Sequence, residues 1–163
     1  MRNGFSLAPA AEADFRELMT WFGDAHSTRV WGGPEFRFPF NFDTFKADAR
    51  WPGMASWCLR NGGKIAGFGQ YYDRYHRIHL ARLVVNPACR GQGVGKRLLA
   101  LLMEEAARTM EQAEFSLFVY RDNPAAIACY KAMGFERAEP PQDAPLREVT
   151  YYMIRRMSAG IRS

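Results

Sequence analysis

The sequence is poor in the residues that staple or metallate small proteins. It holds three cysteines, Cys58, Cys89 and Cys129, an odd number with no C-x-x-C pair among them. That excludes a disulfide framework and makes a reducing compartment, hence a cytoplasmic protein, the expectation. Its three histidines, His26, His76 and His79, fall in no H-E-x-x-H pattern and near no cysteine pair, so no metal is expected. Met1 to Ala11 carry Arg2 but no apolar core long enough for export, and no stretch approaches the roughly 18 apolar residues of a membrane span. No membrane partner is expected. Internal repeats and low-complexity tracts are absent too. Neither sign of charge dominates: 22 Lys and Arg stand against 17 Asp and Glu, a net charge of +5. A surplus that small is an ordinary solubility charge, and it does not choose among phosphate, nucleic acid and acidic lipid as partners.

What is present suits one soluble domain. The 163 residues are 48% hydrophobic and 14% aromatic, enough chain to bury roughly 70% of its unfolded surface without a staple. A single domain over residues 1–163 is expected. Asn3 to Leu7 reads as a short strand. Phe15, Leu18, Met19 and Phe22 at helical spacing predict a helix that Gly23 ends. Trp31-Gly32-Gly33-Pro34-Glu35-Phe36-Arg37-Phe38-Pro39-Phe40 reads as a loop, too rich in Gly and Pro for regular structure, with a short helix beginning near Asp43. Met54–Arg60 and Lys64–Tyr72 flank the turn residues Asn61-Gly62-Gly63 and predict a hairpin. A strand over Arg77–Asn86 follows, stopped by Pro87. Val94, Leu98, Leu101, Leu102 and Ala106 mark one face of a helix of about four turns. Phe115–Tyr120 is a strand. Asn123-Pro124 and Gly134-Phe135 bracket a helix over Pro124–Met133 with a cap at each end. Arg147–Met157 is a last strand. The order suits an α/β fold with a mixed sheet and helices on its faces.

The chemistry concentrates in Leu83-Val84-Val85-Asn86-Pro87-Ala88-Cys89-Arg90-Gly91-Gln92-Gly93-Val94-Gly95-Lys96, where a strand passes into a helix through three alternate glycines. The first turn of a helix has unpaired N–H groups and a partial positive charge, and glycines admit an anion closely. A phosphate or pyrophosphate suits that loop, with Lys96 or Arg97 at its rim. The Walker pattern fails, because Arg90 stands where glycine is needed and Arg97 where Ser or Thr should follow Lys96. The dinucleotide fingerprint fails as well, since Lys96 occupies its last glycine and antiparallel strands precede the loop.

Arg90, Gly93 and Gly95 match [QR]-x-x-G-x-[GA], the acetyl-CoA signature, and Leu83 to Pro87 and Asn123 to Phe135 resemble the fourth strand and the N-x-x-A-x-x-x-Y-x-x-x-G-F helix of the GNAT superfamily of N-acetyltransferases. The resemblance covers roughly residues 54 to 157. It implies a mixed, mostly antiparallel sheet of six to seven strands with about four helices. It also implies acetyl-CoA as acyl donor and a primary amine, on a small molecule or a protein, as acceptor. The pyrophosphate would lie on amides of the loop Arg90, Gly91, Gln92, Gly93, Val94, Gly95 and Lys96. In the family the fourth and fifth strands splay apart, so that main-chain atoms around Leu83, Val84 and Val85 bond the pantetheine arm. Asn123 corresponds to an asparagine beside that arm, and Tyr130 to a tyrosine near the thioester sulfur that attends the departing thiolate. Transfer is direct, within a ternary complex, with the oxyanion held by a backbone N–H of the fourth strand. The chain departs from the pattern at the base: His79 stands where many relatives carry a glutamate. Histidine is able to accept a proton near neutral pH, and strand alternation puts it on one face with Ala81, Leu83 and Val85 if no bulge intervenes. Glu35 and Asp73 are weaker alternatives.

In the family the amino-terminal region shapes the acceptor pocket. Trp31, Phe36 and Phe38, with Phe40 and Trp51, are expected to form an apolar wall, and Glu35 or Asp43 to pair with an ammonium. Two rivals stand beside this reading: a GNAT-fold protein that binds acyl-CoA without turnover, and a small basic nucleic-acid-binding domain using Arg74, Arg77 and Arg82. The second leaves both motifs unexplained, so no nucleic-acid partner is expected. A monomer and a homodimer remain equally open.

Overall fold

In the computed structural model, which describes residues 4–157, the chain runs β1 (Phe5–Pro9), α1 (Glu12–Met19), α2 (Ala25–Gly32), α3 (Phe42–Asp48), β2 (Ala55–Asn61), β3 (Lys64–Arg74) and β4 (Arg77–Val85). A 3-10 turn at Pro87–Cys89 leads into α4 (Val94–Thr109), β5 (Glu114–Tyr120), α5 (Pro124–Ala132), β6 (Glu136–Ala138) and β7 (Thr150–Arg156). The seven strands form one sheet in the order β1-β2-β3-β4-β5-β7-β6, antiparallel throughout except where β4 meets β5. This is the mixed, mostly antiparallel architecture expected, with one α-helix more than the four anticipated. Asn3, where the first strand was expected to begin, lies outside the described residues.

Strand alternation sorts the core onto the two faces. Cys58 and Phe68 pack against Phe15, Leu18, Phe22 and Phe45 of the α1–α3 layer. Their neighbours face α4: Leu59 packs with Val94 and Leu98, and a Cβ at Gly69 would stand 2.8 Å from side-chain atoms of Leu102 and Leu83. Further along, Leu99, Leu102 and Met103 of α4 pack on Ile78, Leu80, Phe115 and Leu117. Burying some dozen apolar side chains on this face, at about 1.5–3 kcal/mol each, fixes α4 against the strand from which its loop emerges.

Three expectations are corrected. A helix that was not expected, α2, precedes the Gly- and Pro-rich segment and takes in its first two residues, Trp31 and Gly32; its start is set by the Asp24 side chain accepting the Ser27 N–H at 2.7 Å. The first long helix stops at Met19 rather than Phe22, because Thr20, Trp21 and Phe22 donate only i→i−3 bonds that tighten the end into a turn. The last strand starts at Thr150, not Arg147: Leu146, at φ +56°, makes a turn whose carbonyl receives the N–H groups of Val149 and Thr150.

The β3–β4 register slips once. Gln70 faces Ala81 while Phe68 faces Val84, so Arg82 and Leu83 together oppose Gly69. Arg82 takes a positive φ of 50° to make this bulge. It is the geometrical feature that re-aims the second half of β4, and it breaks the simple alternation from His79 to Val85.

Candidate active site

Pairing between β4 and β5 is confined to Ile78 with Phe115 and His79 with Ser116. Beyond those two rungs the strands diverge, leaving main-chain groups of β4 after Leu80 without a ladder partner in β5. A cleft of about 950 Å³ opens there, lined by Leu83, Val84 and Val85 on one strand and by Phe118, Val119 and Tyr120 on the other. Unpaired amides and carbonyls along such a cleft accept an extended, amide-bearing ligand as a sheet accepts a strand.

At the wide end the Gly-rich loop meets α4. Asn86 fixes its entry, accepting the Ala88 N–H at 2.9 Å and donating to the Ile65 carbonyl at 2.8 Å. Gly91 and Gly93 then adopt φ of +80° and +74°, and a Cβ on either would meet nothing within 4 Å. These two left-handed glycines, one on each side of Gln92, turn the backbone so that α4 starts at Val94 with no side chain capping it. The N–H groups of Val94, Gly95 and Lys96 therefore have no acceptor within the helix and carry the positive end of its dipole. Arg90, Gly91, Gly93, Val94, Gly95 and Lys96 line the cleft; Gln92 does not. Open space, free donors and two cations suit a diphosphate.

On the far wall α5 contributes two residues. Asn123 is its N-cap, accepting the Ala126 N–H at 3.2 Å, and it lines the cleft. Tyr130 is half-buried with its ring edge-on to Phe135, and its hydroxyl makes no hydrogen bond among the described residues. Burial holds its pKa above the ordinary phenolic value, with the neighbouring Cys129 adding to the effect. A phenol in that state keeps its proton and is able to donate a hydrogen bond through it.

His79 reaches the cleft but does not suit the role of base. It is 2% exposed, its Nδ1 lies 2.8 Å from Ser116 Oγ, and its ring sits between Tyr72 and Phe118. Burial, with a lesser push from Arg74, brings its pKa down to about 3. The imidazole is neutral at physiological pH and its conjugate acid is far too strong to be formed readily from an ammonium. Neither weaker alternative replaces it. Glu35 is exposed and outside the cleft, and Asp73 is exposed and accepts a hydrogen bond from Gln112 Nε2 at 2.9 Å.

The acetyltransferase (GNAT) family model matches residues 17–135. The chain belongs to this family. Among curated GNAT relatives, the [ribosomal protein bS18]-alanine N-acetyltransferase of Escherichia coli is 32% identical over 101 residues, covering 62% of this chain and 67% of that protein. The N-alpha-acetyltransferase RimI of Mycobacterium tuberculosis is 33% identical over 84 residues, 48% of this chain and 49% of its own. The chain spans about half the length, or less, of several curated relatives that it matches. A solved structure of AAC(6')-Ib in complex with ribostamycin and coenzyme A superposes with a TM-score of 0.74 at 20% identity, over 94% of this chain and 93% of that one.

The amino-terminal side of the cleft in this GNAT chain differs from the aromatic wall expected. Trp31 lines the cleft, stacked on Phe22 and Phe45. Phe36 is instead a core residue packed on Trp31 and Phe45, and Phe38 lies edge-on to Phe40; neither lines the cleft. The Pro-containing segment folds back onto α3, where Arg37 pairs with Asp48, so its aromatics are used to seat α3. Residues that the sequence did not single out for the site take their place: Tyr72, Phe118 and Leu146, together with Arg74 and Arg82. Arg82 ties α2 to the bulge. Its carbonyl accepts the Trp31 indole N–H at 2.8 Å, while its guanidinium donates to the Gly32 carbonyl at 3.2 Å and to Gln70 Oε1 at 2.9 Å. Burial lowers its pKa. No local signal marks a bulge at such a residue. Among the described residues no group of three or more His, Cys, Asp and Glu is placed to hold a metal, and no helix is long and apolar enough to cross a membrane.

Proposed function

We propose that the chain is an N-acetyltransferase that moves the acetyl group of acetyl-CoA to a primary amine by direct attack in a ternary complex. The observation that carries this reading is the conjunction of the left-handed Gly91 and Gly93 at the open start of α4 with the parting of β4 from β5 beside it. Together they offer donors for a diphosphate and a strand-like cradle for an amide-bearing arm, in continuous register along one cleft. Acetyl-CoA supplies an acyl group activated as a thioester. The chain supplies the rest. Amides of Gly93 to Lys96, with Arg90 and Lys96, hold the diphosphate; main-chain groups of Leu83 to Val85 align the arm; Asn123 borders it.

The neutral amine nitrogen bonds to the acyl carbon and the carbon–sulfur bond breaks; the thiolate leaves as acceptor of a hydrogen bond from the Tyr130 hydroxyl, and the proton that the amide nitrogen sheds ends on the sulfur, relayed through that hydroxyl. A β4 N–H donates to the oxygen that gains charge. Because His79 is held neutral and hydrogen-bonded, the ammonium proton leaves to water before attack rather than to that ring. Thiol detection during incubation with acetyl-CoA and a panel of primary amines tests the reading. Amine-dependent release of CoA is expected; binding of acetyl-CoA with no release on any amine would leave a binding protein.

A further inference from the structure

We propose that the acceptor amine carries a carboxylate, as a free amino acid does, and that Arg74 is the side chain that receives it. This rests on the acetyl-transfer reading above and specifies its second substrate. Among the described residues, every charged side chain lining the cleft is basic. Arg90 and Lys96 stand at the diphosphate end, Arg29 is exposed on α2 with its Nε donating to the Phe36 carbonyl at 3.4 Å, and the Arg82 guanidinium is engaged by the Gly32 carbonyl and Gln70. Arg74 is left at the opposite end, where β4 and β5 join.

Its surroundings define what it is able to hold. Arg74 Nη1 donates to the Tyr72 hydroxyl at 3.0 Å, its guanidinium carbon lies 5.1 Å from the Phe118 ring centre and 5.3 Å from that of Tyr75, and it pairs with no carboxylate among the described residues. Four guanidinium N–H donors therefore remain in a half-buried, aromatic setting, the geometry that favours a two-point bond to a carboxylate. The adjacent acid is engaged elsewhere: Asp73 accepts a hydrogen bond from Gln112 Nε2 at 2.9 Å.

The same inventory disfavours a polycation. A second ammonium would meet like charge, and two of the aromatic rings lining the cleft are already engaged. Phe118 is faced by Arg74, and Trp31 is stacked on Phe22 and Phe45. Trp31, Tyr72 and Leu146 leave apolar surface for the remainder of a small acceptor.

The test compares the free amino acids with their decarboxylated amines, such as phenylalanine with phenethylamine, and with spermidine. It reads CoA release and, without donor, quenching of tryptophan fluorescence. At least one amino acid should exceed its decarboxylated partner by about tenfold or more in kcat/KM, and in affinity by fluorescence. Arg74→Gln should bring that ratio close to one while acetyl-CoA affinity by calorimetry is retained, and Arg74→Lys should recover part of it. Faster turnover of the decarboxylated amines or of spermidine overturns the proposal. So does a ratio unchanged in Arg74→Gln, or an absence of turnover on every amino acid by a chain that binds acetyl-CoA. Failure of the wild-type chain to bind acetyl-CoA is a different result, and removes the acetyl-transfer reading itself.

Discussion

His79 and Ser116 form the last rung of the parallel ladder between β4 and β5, and their side chains are joined there by a contact of 2.8 Å between Nδ1 and Oγ. The pair closes the sheet at the point from which the cleft opens. A charged imidazole would have to be desolvated beside Arg74, so the rung is stable only while the ring is neutral.

That neutrality has a pH signature. Above about pH 6.5 neither the native nor the unfolded chain carries a proton on His79; below it the unfolded chain takes one while the native ring waits until about 3. Stability is therefore lost as pH falls through this window, by about 2 kcal/mol between about pH 8 and about pH 5 from this residue alone. Urea unfolding at the two pH values should show a smaller loss in His79→Gln than in the wild type. The acid limb of kcat/KM should follow the acceptor's own ionisation and keep its position in the variant. A limb that moves would restore His79 as the base.

Tyr130→Phe removes the hydroxyl and leaves the ring against Phe135. Turnover should fall on the order of 10²-fold, the usual scale for a positioned acid, with acetyl-CoA affinity little changed. Equal turnover in wild type and variant would show that the thiolate leaves unaided.

Asn123 has a cap to make and a place on the cleft wall. Asn123→Ala should cost about 1 kcal/mol through loss of the bond to the Ala126 N–H, whereas Asn123→Ser keeps a capping oxygen and most of that stability. If Asn123 also contacts the donor's arm, both variants weaken acetyl-CoA binding alike. Affinity that follows stability instead would assign the residue to the cap alone.

Trp31 reports on the bulge. Trp31→Phe keeps an aromatic surface between Phe22 and Phe45 but frees the Arg82 carbonyl, and should lower stability by about 1 kcal/mol in urea unfolding. A KM effect on the acceptor larger than that on acetyl-CoA is expected, because the residue sits on the α2 side of the cleft.

The elements that the proposal assigns to the donor are legible in the chain because their signals are local. Gly91 and Gly93 before a long apolar helix face, and Asn123-Pro124 with Gly134 around α5, state their turns and caps in a few consecutive residues. The acceptor side was not legible for the opposite reason. α2 has two turns and a single apolar pair, Val30 and Trp31, so its cap and its packing carry it rather than any periodicity. Phe36 and Phe38 looked available for a ligand because nothing in their neighbourhood announces that α3 and Trp31 will cover them. The bulge at Arg82 is a tertiary product, held by Trp31, Gly32 and Gln70 from other elements, and Arg74 joins the cleft only because β3 pairs beside β4.

Calorimetric titration of acetyl-CoA into the wild type and Gly93→Val bears most directly on the loop. A valine at φ +74° strains the turn and sets its methyl groups in space that is open in the native loop. The wild type should bind, and the variant should lose at least about 100-fold in affinity, or about 2.8 kcal/mol at about 1.4 per decade, while its circular dichroism stays that of a folded chain. Undiminished affinity in a folded Gly93→Val would contradict the assignment of the diphosphate to this bend.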